Sequence, residues 1–165
     1  MPRWTATAGL AALLTTAQPA AATTDADMVD LRHVETVLEA VQAAGYKAEI
    51  KANPKGERYI SVASKEDVEF TISFYGCDAP EGCSSFSISA WWKKEGFFSN
   101  DLVNEWNDGH RFLKASIDAD GDIEEYMDLS SIGGVSREFF EDELGWFLDM
   151  DADFSDFLDK KRPKS

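Results

Sequence analysis

Cys77 and Cys83 close a short turn-rich stretch, DAPEG, between two segments in which apolar and polar residues alternate. The first segment, VEFTISFY (68–75), puts Val68, Phe70, Ile72 and Phe74 on one side. The second, SFSISAWW (85–92), does the same with Phe86, Ile88, Ala90 and Trp92. If Cys77 faces Cys83 across a hairpin, then Phe74 meets Phe86, Ile72 meets Ile88, Phe70 meets Ala90 and Val68 meets Trp92. Both apolar sides coincide. A slip of one residue would turn the serines toward the core, so the register is tightly specified. Thr71, Ser73, Ser87 and Ser89 then share the opposite face with both cysteines. A cross-strand disulfide closing so short a loop stabilises by about 2 kcal/mol in the chain-entropy account. The spacing does not fit a C-x-x-C redox pair, and two cysteines without nearby histidines make a poor zinc site.

An oxidised pair suits an exported chain, and the N-terminus agrees. MPRWTATAGLAALLTTAQPAAATT carries one basic residue, Arg3, an apolar middle from Gly9 to Leu14, then small residues. This is the layout of a secretory signal peptide over residues 1–22, cut near Ala22. Its plain alternative is a disordered Ala/Thr-rich tail. The apolar run is too short to span a bilayer, and no later segment offers the roughly 20 apolar residues that spanning needs. The expectation is a single domain over 23–159, periplasmic or secreted, without membrane insertion, ending in a basic disordered tail at 160–165. With a net charge of −15 the surface repels phosphate backbones, so no nucleic acid is expected as a partner. The acidity serves solubility or a basic partner, and charge alone does not choose.

The remaining elements follow from periodicity. TTDADMVDLRHVETVLEAVQAAGY reads as a helix with Met28, Leu31, Val34, Leu38 and Val41 on one stripe, capped by Asp25 or Asp27 and ended by Gly45. His33 sits beside that stripe as a boundary or surface residue. A hairpin turning at NPKG covers 46–64. Ser99 or Asn100 caps a short helix whose inner side is Leu102, Val103 and Trp106. FLKASID and DIEEYMDL are strands around an aspartate turn. Ser136 caps a last helix with Phe139, Phe140, Leu144, Phe147 and Leu148 inward, then Phe154, Phe157 and Leu158 after a break near DMDAD. The sum is an α+β fold: an antiparallel sheet of five to six strands with helices packed on it, in the order helix, three or four strands, helix, two strands, helix.

Several of these stretches resemble the YbjN family: FYGC in a strand, VNEWNDGHRFLKASIDADGDI (103–123), and MDLSSIGGVS before an aromatic-rich helix. The resemblance covers about residues 28–158. It implies a bacterial sensory-transduction regulator type, a fold similar to type III secretion chaperones, no enzymatic activity and no cofactor. It also implies another protein as partner, or a second copy in a homodimer. Its signature residues are Asn104, Trp106, Asn107, Arg111 and Phe112. Trp106 serves as a core anchor, the two asparagines as satisfiers of backbone groups between helix and strand, and Arg111 as a partner for a carboxylate.

Asp118, Asp120 and Asp122 surround Gly121 and invite comparison with a calcium loop. An EF-hand-type loop needs glycine at its sixth position and glutamate at its twelfth. Counting from Asp118 these are Ile123 and Leu129, and Asp120-Gly121 is instead a two-residue hairpin signal. The reading is a turn, with weak calcium binding outside the cell as an alternative. His33 and His110 stand in unrelated contexts, and no nucleophile elbow, zinc-protease or phosphate-loop motif occurs. A cryptic hydrolase built on two carboxylates would require a pocket holding acids of raised pKa. Trp91, Phe97 and Phe98 crowd one strand end, with Trp91 on the face away from Trp92, and form the candidate binding surface.

Overall fold

Residues 28–64, 68–78 and 80–164 are described in a computed structural model of the chain. In chain order the elements are β1 (Met28–Val29), α1 (Val34–Ala43), β2 (Lys47–Ala52), β3 (Arg58–Ala63), β4 (Glu69–Tyr75) and β5 (Ser85–Trp92). There follow α2 (Asn100–Gly109), β6 (Lys114–Ile117), β7 (Ile123–Ser130), β8 (Val135–Ser136) and α3 (Arg137–Lys161). Six strands make one antiparallel sheet in the order β2-β3-β4-β5-β7-β6, and β1 pairs with β8 in a separate ribbon. The fold is the expected α+β sheet-and-helix layer.

The hairpin holds the register that the alternation specifies. β4 and β5 pair Thr71 with Ser89, Ile72 with Ile88, Ser73 with Ser87, Phe74 with Phe86 and Tyr75 with Ser85. Beyond them Cys77 and Cys83 are disulfide-bonded, their Cα atoms 3.8 Å apart. The tip is fastened twice more: Cys83 N–H donates to the Arg32 carbonyl (2.8 Å), and the Ser131 hydroxyl donates to the Cys83 carbonyl (2.5 Å). Replacing both cysteines by serine will lower stability by about 2 kcal/mol, read as a fall in the urea midpoint.

All three helices lie on one face of the sheet. Phe147 of α3 packs on Phe70 of β4, with ring centroids 5.3 Å apart, and Phe154 packs on Trp92 of β5 at 5.8 Å. Trp106 of α2 meets the same Phe154 at 4.8 Å. Ile60, Val62, Ile72, Phe86, Ile88, Ile123 and Met127 project from the strands into this single core. The opposite sheet face carries the alternate residues and, among the described residues, no helix.

Four expectations shift. The first helix begins at Val34 rather than upstream, with His33 as its N-cap residue and no side-chain cap bond. Met28 and Val29 pair with Ser136 and Val135 instead, because a strand partner far along the chain outcompetes a helical spacing that Met28, Leu31 and Val34 only suggest. The expected caps Asp25 and Asp27, and the signal peptide with its cleavage point, lie outside the described residues. Second, α3 runs unbroken through DMDAD. Its buried residues Phe140, Leu144, Phe147, Asp151, Phe154 and Leu158 step by four and three, with Met150 buried beside Asp151, which keeps one stripe on the core and leaves Phe139 exposed.

Third, the boundary expected at 159 falls inside α3. Lys161 Nζ reaches Glu105 at 2.5 Å, and Arg162 forks onto Glu95 at 2.6 and 3.0 Å and lies over Phe97. The basic end is therefore fastened as far as Arg162. Fourth, the aspartate turn is longer than two residues: Asp118 N–H donates to the Asp122 carbonyl (3.0 Å), with three residues between them. Gly121 alone supplies the left-handed backbone there, φ 88°.

Candidate functional site

The uncovered sheet face is built from the serine side of the hairpin. Outward along β5 come Ser85, Ser87, Ser89 and Trp91; along β7 come Glu124, Tyr126 and Asp128. Register places Ser87 beside Ser73 and Asp128, Ser89 beside Thr71 and Tyr126, and Trp91 beside Glu124. Short hydroxyl side chains between taller neighbours make a trough of about 510 Å³, walled by Tyr75 and Tyr126 and flanked by Glu124 and Asp128. Ser87 is buried at its floor, whereas Trp91 is 49% exposed and Tyr75 53%. Burial of the Glu124 carboxyl raises its pKa, and the nearby charges of Asp128 and Asp118 push the same way, opposed by a hydrogen bond from Ser89.

The expected surface of Trp91, Phe97 and Phe98 divides. Trp91 stands on the open face, while Phe97 and Phe98 pack edge-to-face at 5.0 Å and settle half-buried against the core. A second aromatic pair, Phe112 (50% exposed) with Trp146 (48% exposed), touches on the helix side at 5.6 Å. Trp146 escaped sequence reasoning, although its place between the inward steps Leu144 and Phe147 marks it as outward.

The signature segment is a joint between α2 and β6. Ser99 caps α2 by accepting from Leu102 N–H. Trp106 is 1% exposed, and its indole N–H donates to the Leu113 carbonyl at 3.1 Å. Asn107 clasps the Ala115 backbone in both directions, accepting from its N–H and donating to its carbonyl, each 2.9 Å. Lys114 Nζ bonds the carbonyls of Asn107 and His110 where the helix ends. Asn104 is exposed and makes no such bond, and among the described residues no carboxylate pairs with Arg111, which lies over the Phe112 ring at 5.1 Å. Asn107→Ala strips both clasps and will cost about 1–3 kcal/mol in a urea titration.

The aspartate turn is self-contained. Asp118 Oδ1 accepts from the N–H groups of Asp120, Gly121 and Asp122 at 2.9, 2.9 and 3.0 Å. Asp122 is held by Lys93 Nζ (2.6 Å) and Lys94 N–H (2.9 Å). Its pKa is lowered first by the Lys93 bond, then by that amide. The carboxylates of Asp118 and Asp122 are spent on the turn and its neighbours.

A pair of neighbouring acids, Glu125 of raised pKa and Asp151, does exist, and it lies inside the protein. Glu125 projects from β7 into the core between Ala90 of β5 and Ala115 of β6, whose small side chains leave it room. Glu125 is fully buried, and Asp151 of α3, 7% exposed, faces it with Trp92. Neither Glu125 oxygen nor the Trp92 indole N–H completes a hydrogen bond of good geometry. Burial first, and then Asp151, push the Glu125 pKa up to about 10. Glu125 therefore holds its proton at neutral pH. Sealed from solvent, the pair offers no room for a substrate, so it does not form the pocket that a two-carboxylate hydrolase requires.

The YbjN family model, described as "putative bacterial sensory transduction regulator", matches residues 33–160. The chain belongs to the YbjN family. The YbjN match runs from the N-cap of α1 to the last turn of α3 and takes in the whole six-stranded sheet. It includes Asn104, Trp106, Asn107, Arg111 and Phe112, of which Trp106 and Asn107 build the α2–β6 joint. YbjN is named for a regulatory role rather than a reaction. The chain matches no curated protein and no solved structure.

Proposed function

We propose that this YbjN protein is an exported, non-enzymatic regulatory module that grips another protein, or a second copy of itself, with the uncovered face of its sheet. The observation that carries the reading is that face itself: no helix among the described residues covers it, and Trp91 stands on it 49% exposed. A half-exposed tryptophan beside a trough is the kind of anchor around which protein interfaces concentrate their energy. The Cys77–Cys83 bond and the leader-like N-terminus support export, since disulfides persist in oxidising compartments. The family's regulatory description agrees with a domain that binds rather than reacts.

The test is a photo-reactive residue at position 91, compared with one at Asp153, which is exposed on α3. Expected is a discrete cross-linked species from position 91 and none from 153; an adduct of twice the protein's mass would identify the homodimer. Equal, featureless labelling from both positions would sink the reading.

A further inference from the structure

The open face has a chemical bias that narrows what could lie on it. The described residues form eight ion pairs, which engage Asp30, Glu35, Glu49, Glu95, Glu105, Asp122 and Asp159. Glu124 and Asp128, on the same face of β7, take part in none. Of the cations that the register puts on the open face, Lys114 neighbours the trough, while Lys47 and Lys51 stand on the far edge strand β2. Lys114 is tied to the end of α2, Lys51 to Glu49 and Ser61, Lys93 to Asp122, and Arg58 to Glu35. At the trough floor the Ser87 residue is 5% exposed, and its hydroxyl has no hydrogen-bond partner among the described residues. Half-buried Glu124, with unpaired Asp128 further along, is a negative site that lacks its counter-charge.

Spacing decides the form of that counter-charge. Glu124 and Asp128 are four residues apart on one strand, roughly 13 Å at the usual rise, which is too far for one metal ion to bridge. It is the distance between side chains four apart in another extended segment. Tyr126 lies between the two acids, with Tyr75 across the trough and Trp91 beside Glu124. Aromatic faces next to carboxylates favour guanidinium over ammonium, because the planar group stacks and forks at once.

We propose that this trough is the docking site for an extended basic segment of a partner protein, with two arginines four residues apart seated on Glu124 and Asp128 across Tyr126. The proposal rests on the reading of the open face as the gripping surface and adds the chemistry of what is gripped.

The experiment uses a nine-residue peptide, arginines at its third and seventh positions in a serine/threonine/valine background, titrated against the intact protein by calorimetry. Glu124→Gln with Asp128→Asn is compared with Glu138→Gln with Asp149→Asn, which removes as much charge from exposed positions of α3. The trough pair should weaken binding about tenfold or more and the helix pair less than about threefold. A peptide with adjacent arginines should bind more weakly than the spaced one. Asp128→Asn alone, at an exposed strand position, should weaken binding severalfold while leaving the thermal transition unchanged.

Equal weakening by both variant pairs would mean attraction to net charge alone and would overturn the proposal, as would indifference to arginine spacing. If the peptide proves indifferent while position 91 still cross-links a partner, this inference falls and the functional reading stands. If position 91 labels nothing while the peptide depends on Glu124 and Asp128, the trough chemistry holds and the functional reading falls.

Discussion

Replacing Glu125 by glutamine will raise stability at about pH 7.5 by about 2–4 kcal/mol and change it little near pH 4.5. In the folded protein Glu125 keeps its proton up to about pH 10, because burial and then Asp151 disfavour the charge. In the unfolded chain it releases the proton near the ordinary 4.5. Below that value both states hold the proton, and the stabilisation from the raised pKa is fully present. Between the two values the native state binds a proton that the unfolded state lacks, so stability falls as pH rises, by up to about 1.4 kcal/mol per pH unit. Glutamine fits the same slot between Ala90 and Ala115 and has no proton to lose. Asp30, whose pKa the bond from Arg32 holds down to about 2, acts in the opposite sense, as do Glu35 and Glu95 beside their arginines. They are common to both proteins and cancel in the difference. Urea unfolding of the two proteins at several pH values checks this, and parallel stability curves would refute it.

Trp106→Ala will cost about 3–5 kcal/mol, the largest loss expected of any single truncation here. The indole stacks on the His110 ring at 3.4 Å and meets Phe154 and Phe157 at 4.8 and 5.5 Å, so its removal empties the space between α2 and α3. It also orphans the Leu113 carbonyl that its N–H satisfies. Trp106→Phe keeps much of the packing and loses the donor, so about 1–3 kcal/mol is expected. Trp91→Ala, on the open face, should stay within about 0.5 kcal/mol. Thermal and urea unfolding of the three variants separates the tryptophan that holds the fold from the one offered to a partner.

How far the sequence disclosed all this depends on which period each segment obeys. The β4–β5 register was legible to the residue, because two alternating strands joined through paired cysteines admit one alignment. The caps Ser99 and Ser136 were equally plain. Met28–Val29 misled because two residues carry no period, and their partner β8 lies far along the chain. The break expected near DMDAD does not occur, because Asp151 occupies an inward step of an unbroken stripe. Glu125 offered the same kind of clue: in IEEYMDL it takes the slot that alternation reserves for an apolar side chain, between Ile123 and Met127. An acid out of pattern on a strand and another on a helix were the visible trace of one buried pair, but only the packing of α3 on β7 brings them together. The trough was half visible, since its serines could be assigned to one face while the walls of Tyr75 and Tyr126 required the sheet order.

The β1–β8 ribbon joins Met28 to Ser136, and the inner stripe of α3 lies later still. β1 thus waits for a strand far along the chain before it finds its neighbour. Until Phe140 through Leu158 have been synthesised, Phe70 and Trp92 lack the α3 rings of Phe147 and Phe154 that pack on them. Such late closure keeps a growing chain pliable until its last helix has been made.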